Sequence, residues 1–292
     1  MFGVIVNPVS GGGKNIKIVD EIAKILERRG EICRVFETEH EDDGDRQVRL
    51  AIENGCDAIV CIGGDGTLSE IVPEMANRGK TLYIVPCGTG NDFARAFGLP
   101  KDPVEAFCAQ LDGEKTQIDC GSINGRAFIN VSGSGFDVEV LRKTEELKSV
   151  YPGEKAYTKA VLAVLSSYQA FEADVSVDGG AFEKKRCTII EVANGRYFGG
   201  GMLVAPGADY MDGMFDVVTV NAVPRWIIPF LLPLFKLGLH VYLPVAKVKK
   251  AKEIVIRSKG MVLNIDGALK EMDEARYAVM PKALDVMLPK KK

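Results

Sequence analysis

Three glycines surround one carboxylate in Gly63-Gly64-Asp65-Gly66-Thr67, directly after the apolar run Ala58 to Ile62. A continuous apolar run of that length reads as a strand covered on both faces. The glycines leave the backbone bare at the strand's C-terminal end, the edge where open α/β sheets bind ligands. Bare amides suit polyphosphate, and a carboxylate among phosphates suits Mg²⁺ or a hydroxyl to be deprotonated. The alternative is a tight turn in which Asp65 caps the following helix.

The surrounding pattern supports a sheet of that kind. Apolar runs at Phe2 to Val6, Ile32 to Phe36, Ala58 to Ile62 and Leu82 to Val85 alternate with helical periodicities through Ile18, Val48, Leu68, Phe93 and Val104. Repeated β-α order implies a parallel sheet with helices on both faces. Two further polar loops sit at strand ends. Asn7-Pro8-Val9-Ser10-Gly11-Gly12-Gly13-Lys14 follows the first strand; it is neither a Walker P-loop nor G-x-G-x-x-G. Pro86-Cys87-Gly88-Thr89-Gly90-Asn91-Asp92-Phe93 follows the fourth. Loops on neighbouring parallel strands face one crevice, so a shared nucleotide site explains them together.

After about Ile118 short β-like runs dominate, among them Ile254 to Ile256, Val262 to Ile265, Tyr277 to Met280 and Leu284 to Leu288, interrupted by helical patterns at Val138 to Leu147, Tyr157 to Phe171 and Trp226 to Leu239. The expected architecture is an α/β nucleotide-binding domain over 1–120 and a mostly antiparallel, sandwich-like β domain over 121–280. Residues 281–292 are candidates to return to the first domain.

The net charge of −3 gives no global signal for nucleic acid. It divides unevenly: residues 1–120 hold 13 basic and 21 acidic side chains, and the remainder holds 24 and 19. The second half is the better candidate for meeting an anionic surface. Seven cysteines, an odd number without C-x-x-C, read as reduced thiols of a cytosolic protein. The longest apolar stretch, Trp226 to Leu239, is broken by Pro229, Pro233 and Lys236 and is too short to span a bilayer. With the basic residues that follow, it could dip into an anionic leaflet or pack as a buried helix.

Taken in order and at these separations, the three loops resemble the diacylglycerol kinase catalytic-domain family, and more closely the bacterial soluble lipid kinases. Ile118-Asp119, Phe128-Ile129-Asn130, Pro206 to Asp209, Asp212 to Asp216, Asp266-Gly267 and Pro281 to Leu284 extend the likeness over nearly the whole chain. The resemblance implies an ATP cleft between the two domains and transfer of the γ-phosphoryl group to a lipid hydroxyl, first of all that of diacylglycerol, giving phosphatidic acid. It implies ATP contacts from Asn7, Pro8, Ser10, Gly11, Thr38, Gly63, Gly64, Gly66, Thr67, Thr89, Gly90 and Asn91. Asp65, Asp92 and Asp119 would form a carboxylate and water network around catalytic Mg²⁺. A structural Mg²⁺ would take the Asp212 side chain and the carbonyls of Asp209 and Met214. A homodimer and a cytoplasmic, peripherally membrane-associated protein are also implied.

Two positions depart from the family pattern. Ser69 stands where Asn is usual. Ala268 stands where the family has the Glu assigned as proton acceptor, which leaves Asp266 and Asp65 as candidates. Three other readings stay open: a kinase of another lipid (phosphatidylglycerol, a sphingoid base or a polyprenol), an NAD or sugar-phosphate kinase relative, and a non-catalytic nucleotide- or lipid-binding protein.

Overall fold

Four parallel strands begin the chain in the computed structural model, which describes residues 1–8, 15–40, 43–151 and 154–290. They are β1 (Phe2–Val6), β2 (Cys33–Glu37), β3 (Ala58–Gly63) and β4 (Thr81–Pro86), in spatial order β2-β1-β3-β4. Helices α1 (Asn15–Arg28), α2 (Gly44–Glu53) and α3 (Asp65–Met75) connect them, and α4 (Asp92–Ala96) and α5 (Pro103–Leu111) follow β4. Ile22 and Leu26 of α1 and Phe107 of α5 cover one face, and Val48 of α2 with Ile71, Val72 and Met75 of α3 cover the other. That two-sided cover explains the unbroken apolar character of β1 and β3. The strand order reverses between β1 and β3, the topological position at which open α/β sheets bind ligands.

The second half is antiparallel. It comprises β5 (Glu114–Ile123), β6 (Arg126–Phe128), β7 (Val131–Gly135), β8 (Phe171–Val177), β9 (Glu183–Ala193), the two-residue pair β10 (Tyr197–Phe198) and β11 (Met202–Leu203), β12 (Phe215–Asn221), β13 (Ala246–Ala251), β14 (Glu253–Ile265) and β15 (Ala268–Leu288). Helices α6 (Phe136–Lys148), α7 (Glu154–Ser167) and α8 (Ile228–Lys236) lie on this half. α6, α7 and α8 meet the sheet through a core that includes Phe136, Val164, Ile189, Val218, Leu231 and Phe235.

Strand β15 joins the halves. Its 21 residues pair antiparallel with β14 from Ala268 to Ala278 and with β5 from Tyr277 to Leu288. Near its end Asp285 and Val286 pair in parallel with Thr81 and Leu82 of β4. The chain's C-terminal part therefore completes the first sheet, and one 13-stranded sheet runs through both halves. A bulge between Met280 and Leu284 interrupts the ladder, with Lys282 at φ +53°.

Several local expectations change. The runs Ile254 to Ile256 and Val262 to Ile265 are one strand, β14, as are Tyr277 to Met280 and Leu284 to Leu288 within β15. Bulges explain the apparent breaks, because each adds unpaired residues to a continuing strand. Strand β13 escapes an apolar pattern because it is a sheet edge carrying Lys247, Lys249 and Lys250. The Trp226 to Leu239 stretch is a 3-10 turn at Arg225–Ile227 followed by the nine-residue α8, ended by Gly238 at φ +70°. Among the described residues, no helix is long and apolar enough to cross a membrane.

Leu284 is buried at the junction of β15, β5 and the α/β core. Leu284→Ala is expected to cost about 2–5 kcal/mol in urea unfolding. A loss below about 1 kcal/mol would show that this junction lies outside the cooperative core.

Candidate active site

The loops after β3 and β4 touch through bare backbone. A Cβ built on Gly88 would fall 2.5 Å from the Gly64 Cα, and one on Gly64 would fall 2.8 Å from the Gly88 Cα. Real Cβ atoms do not approach other atoms so closely, so glycine is required on both sides of this contact. Asn91, in the left-handed region at φ +50°, ties its own loop: its amide donates to the Gly88 carbonyl at 2.7 Å and its Oδ1 accepts from Gly88 N at 3.0 Å. Thr67 stacks under Gly63, where an added Cβ would meet its Oγ1 at 2.3 Å.

Asp65 is the pivot between the loops. It begins α3, yet its carboxylate accepts from Asp92 N at 3.0 Å and Phe93 N at 3.2 Å, at the start of α4. The alternative, a cap on the following helix, is not what forms: α3 has no side-chain cap bond, and the carboxylate serves the first amides of α4 instead. A third loop arrives from the second half. Gly199, Gly200 and Gly201 all have positive φ, and Gly200 N donates to Asp92 Oδ2 at 2.8 Å. This triple glycine is legible in the sequence as a backbone that must take left-handed conformations. Its target, 108 residues away, is not.

The electrostatics follow from crowding. Asp92 is buried, and its Oδ1 accepts no hydrogen bond; the Arg95 Nε stands 3.8 Å away. Burial pushes the Asp92 carboxyl up to about 6; the Asp65 charge adds to this, and the Gly200 amide and Arg95 oppose it. Asp266, at φ +49°, accepts from Ile129 N at 2.6 Å on Oδ2 and from Asn130 N and Val131 N at 2.8 and 3.0 Å on Oδ1. Burial dominates those donors and raises it to about 6 as well, with the Asp65 charge contributing. Asp65, Asp92, Asp266 and Ala268 line one cleft of about 370 Å³, together with Ser69, Glu70, Asn264 and Gly200. Ser69 Oγ donates to the Gly66 carbonyl at 2.8 Å. Glu70, absent from the motif reading, holds Gly44 N at 2.8 Å on the cleft's flank.

Other expected site residues lie elsewhere. Asp119 is buried, with both oxygens taken by backbone amides: Lys282 N and Gly213 N, each at 2.8 Å. That commitment makes it an anchor for the β15 bulge and the 207–216 turn, and it does not line the cleft. Thr38 is buried after β2, its amide on the Val6 carbonyl at 2.9 Å and its Oγ1 without a hydrogen-bond partner. The Asn7 carbonyl accepts from the Asn15 side chain at 2.9 Å, and Pro8 is half-buried beside it. Ser10 and Gly11 lie outside the described residues. Thr89 and Gly90 line the rim facing Arg95 and also border an apolar cavity.

That cavity, about 470 Å³, lies under α6 and α8 and is walled by Phe136, Val140, Leu231 and Phe235 among others. It shares Leu141, Phe198, Gly199, Gly200 and Asn264 with the carboxylate cleft, so the two spaces adjoin. An apolar chain and a reactive polar end could thus be held by one molecule.

Comparison with known proteins accords with this arrangement. Residues 1–123 match the family model of the diacylglycerol kinase catalytic domain. Residues 130–288 match that of the YegS C-terminal NAD kinase beta sandwich-like domain. The chain is 31% identical over 292 residues to a protein of Mycobacterium tuberculosis named diacylglycerol kinase, covering 98% of this chain and 94% of that one. A crystal structure described as a diacylglycerol kinase from Bacillus anthracis superposes with a TM-score of 0.71 at 21% identity, covering 98% and 96% of the two chains. An NAD kinase from Archaeoglobus fulgidus, solved in complex with ATP, shares the fold with a TM-score of 0.56 at 16% identity, covering 100% and 95%.

Gly88→Ala tests the loop contact. The added methyl has backbone, not a flexible side chain, in its way. ATP affinity by calorimetry is expected to fall at least about tenfold with the circular dichroism spectrum preserved, since a misplacement of about 1 Å is enough for such losses. Unchanged affinity would separate this contact from the nucleotide site.

Proposed function

The chain belongs to the diacylglycerol kinase catalytic-domain family of lipid kinases, and from that premise we propose that it transfers the γ-phosphoryl group of ATP to the hydroxyl of diacylglycerol. The observation that carries the reading is the apolar cavity adjoining the glycine and carboxylate cleft. A nucleoside or sugar phosphate has no use for such walls; an acyl chain does.

In this reading the bare amides of the 63–67 and 88–92 loops receive the phosphates, as glycine loops at helix starts do. The orphan oxygen of Asp92, beside Asp65, fits a hard cation. Mg²⁺ bound there would neutralise charge on the phosphoryl oxygens. The lipid oxygen forms its bond to the γ-phosphorus as the bond to the β-phosphate oxygen breaks, ADP leaves, and the hydroxyl proton passes to Asp266. Two of the three backbone donors sit on Oδ1, so Oδ2 keeps the freer lone pair. A carboxyl near 6 is ionised at pH 7 and still basic enough to accept a proton.

Transfer of radiolabelled phosphate from ATP into diacylglycerol in mixed micelles is expected, giving phosphatidic acid, and is expected to vanish in Asp65→Asn. Asp266→Asn should lower kcat by about 10²–10⁴-fold. Because Asp266 acts as a carboxylate, kcat/KM should be full above its raised value and decline as the pH falls through about 6. Full activity of Asp266→Asn would remove it as the base. Label entering a different lipid from a total extract would correct the acceptor, and label entering only soluble NAD would reject the lipid reading.

The acceptor must be reached at a bilayer, and α8 supplies a route. Ile228, Leu231 and Phe235 face the cavity, whereas Trp226 and Phe230 are 68% and 71% exposed, with Leu237 exposed beside them. Lys236 and the edge-strand Lys247 and Lys249 are exposed on the same part of the chain. An apolar face with nearby cations fits an anionic leaflet. Trp226→Ala combined with Phe230→Ala should reduce sedimentation with anionic vesicles and raise the micellar KM while sparing ATP affinity. Undiminished vesicle binding would reject this docking face.

A further inference from the structure

Lys250 occupies the place where the family resemblance would put a structural cation. Strand β13 aligns it directly opposite Asp216 of β12. Its ammonium lies 2.7 Å from Asp212 Oδ2, 2.9 Å from Asp216 Oδ1 and 3.2 Å from the Gly207 carbonyl. The ammonium donates to Asp212 and to the Gly207 carbonyl and pairs by charge with Asp216 Oδ1, which accepts no hydrogen bond, so oxygens from both ends of the 207–216 turn surround it. The other Asp212 oxygen accepts from Met214 N at 2.9 Å, so the carboxylate has both oxygens engaged. The Asp209 carboxylate likewise accepts from Met211 N at 3.0 Å, and its carbonyl faces Asp212 N at 3.5 Å. Mg²⁺ needs oxygens at about 2.0–2.1 Å in near-octahedral array, and an ammonium on the same carboxylate would repel it. The residues present do not fit that ion.

We propose that Lys250 is a built-in cation that replaces the structural metal of the 207–216 turn and positions the catalytic cleft through it. One link runs from the turn to Asp119 and the β15 bulge, and a second runs to the cleft. Gly213 N donates to Asp119, and the Tyr210 carbonyl accepts from Asp119 N at 2.6 Å. The Tyr210 ring packs on Phe93 and Phe97, with centroids 5.4 and 4.9 Å away, which holds α4 and hence Asp92. Asp216 is 2% exposed, so its charge needs this partner more than a surface carboxylate would. The cation is covalently supplied, so the turn keeps its shape whatever the free divalent concentration.

The test is thermal unfolding of the nucleotide-free protein in EDTA and in saturating Mg²⁺, a readout independent of the kinase reading. The expected result is an identical shift between the two conditions in the wild-type and Asp212→Asn proteins. Lys250→Ala should melt on the order of 5 °C lower in EDTA and recover when Mg²⁺ enters the vacated oxygens. A wild-type drop on chelation that Asp212→Asn abolishes would place a metal in the turn and overturn the proposal. A Lys250→Ala protein as stable as wild type in EDTA, or one destabilised but unmoved by Mg²⁺, would overturn it too. Should the alanine protein not fold, the comparison of wild type with Asp212→Asn decides alone.

Discussion

The backbone ladder of β15 is the constraint on which the rest depends. A strand of 21 residues is long enough to pair with β14 at one end, β5 at the other, and β4 beyond it. Its hydrogen bonds fix the second half of the molecule against the first without a flexible linker. The same strand delivers chemistry along its length. Asp266 sits in the turn that leads into it, and the Lys282 amide in its bulge holds Asp119. A shift in this register would move Asp266, the anchor of the 207–216 turn and the α/β core together, because all hang on one ladder.

Given that frame, glycine decides how close the loops approach. Gly64 lies against Gly88 at a separation that admits no Cβ, and Gly90 lies close against Asp65 and Gly200. Bare backbone brings amides to the carboxylates, and those amides partly offset the cost of burying charge. The offset is unequal. Asp65 takes two donors at the start of α4, whereas one oxygen of Asp92 is left without a donor. A buried oxygen without a partner is an uncommon and costly feature, and it marks where a cation is useful.

Helix α8 closes the apolar cavity beside this polar site. Its inner residues wall the cavity and its outer residues are exposed, so one short helix carries apolar side chains on two faces. Pro233 inside it and Gly238 after it keep it short. A membrane-spanning reading fails on length, while a purely buried reading fails on Trp226 and Phe230. The inner face packs as the buried-helix alternative expects, and the outer face is exposed.

The sequence by itself determined the parallel α/β half, the placement of glycine loops at the ends of β3 and β4, and the presence of Asp65 and Asp92 there. These are local properties: period, turn chemistry and the freedom of glycine act within a few residues. It also carried the family, because several motifs in register identify a lineage. Tertiary structure decided what those residues meet. Gly200 reaches Asp92 over 108 residues, Asp266 reaches Ile129 over 137, and Lys282 reaches Asp119 over 163. It turned Asp119 into an anchor, set Lys250 among three oxygens, and joined interrupted apolar runs into β14 and β15. No local pattern encodes such pairings, since they arise only when a sheet brings distant backbone into register.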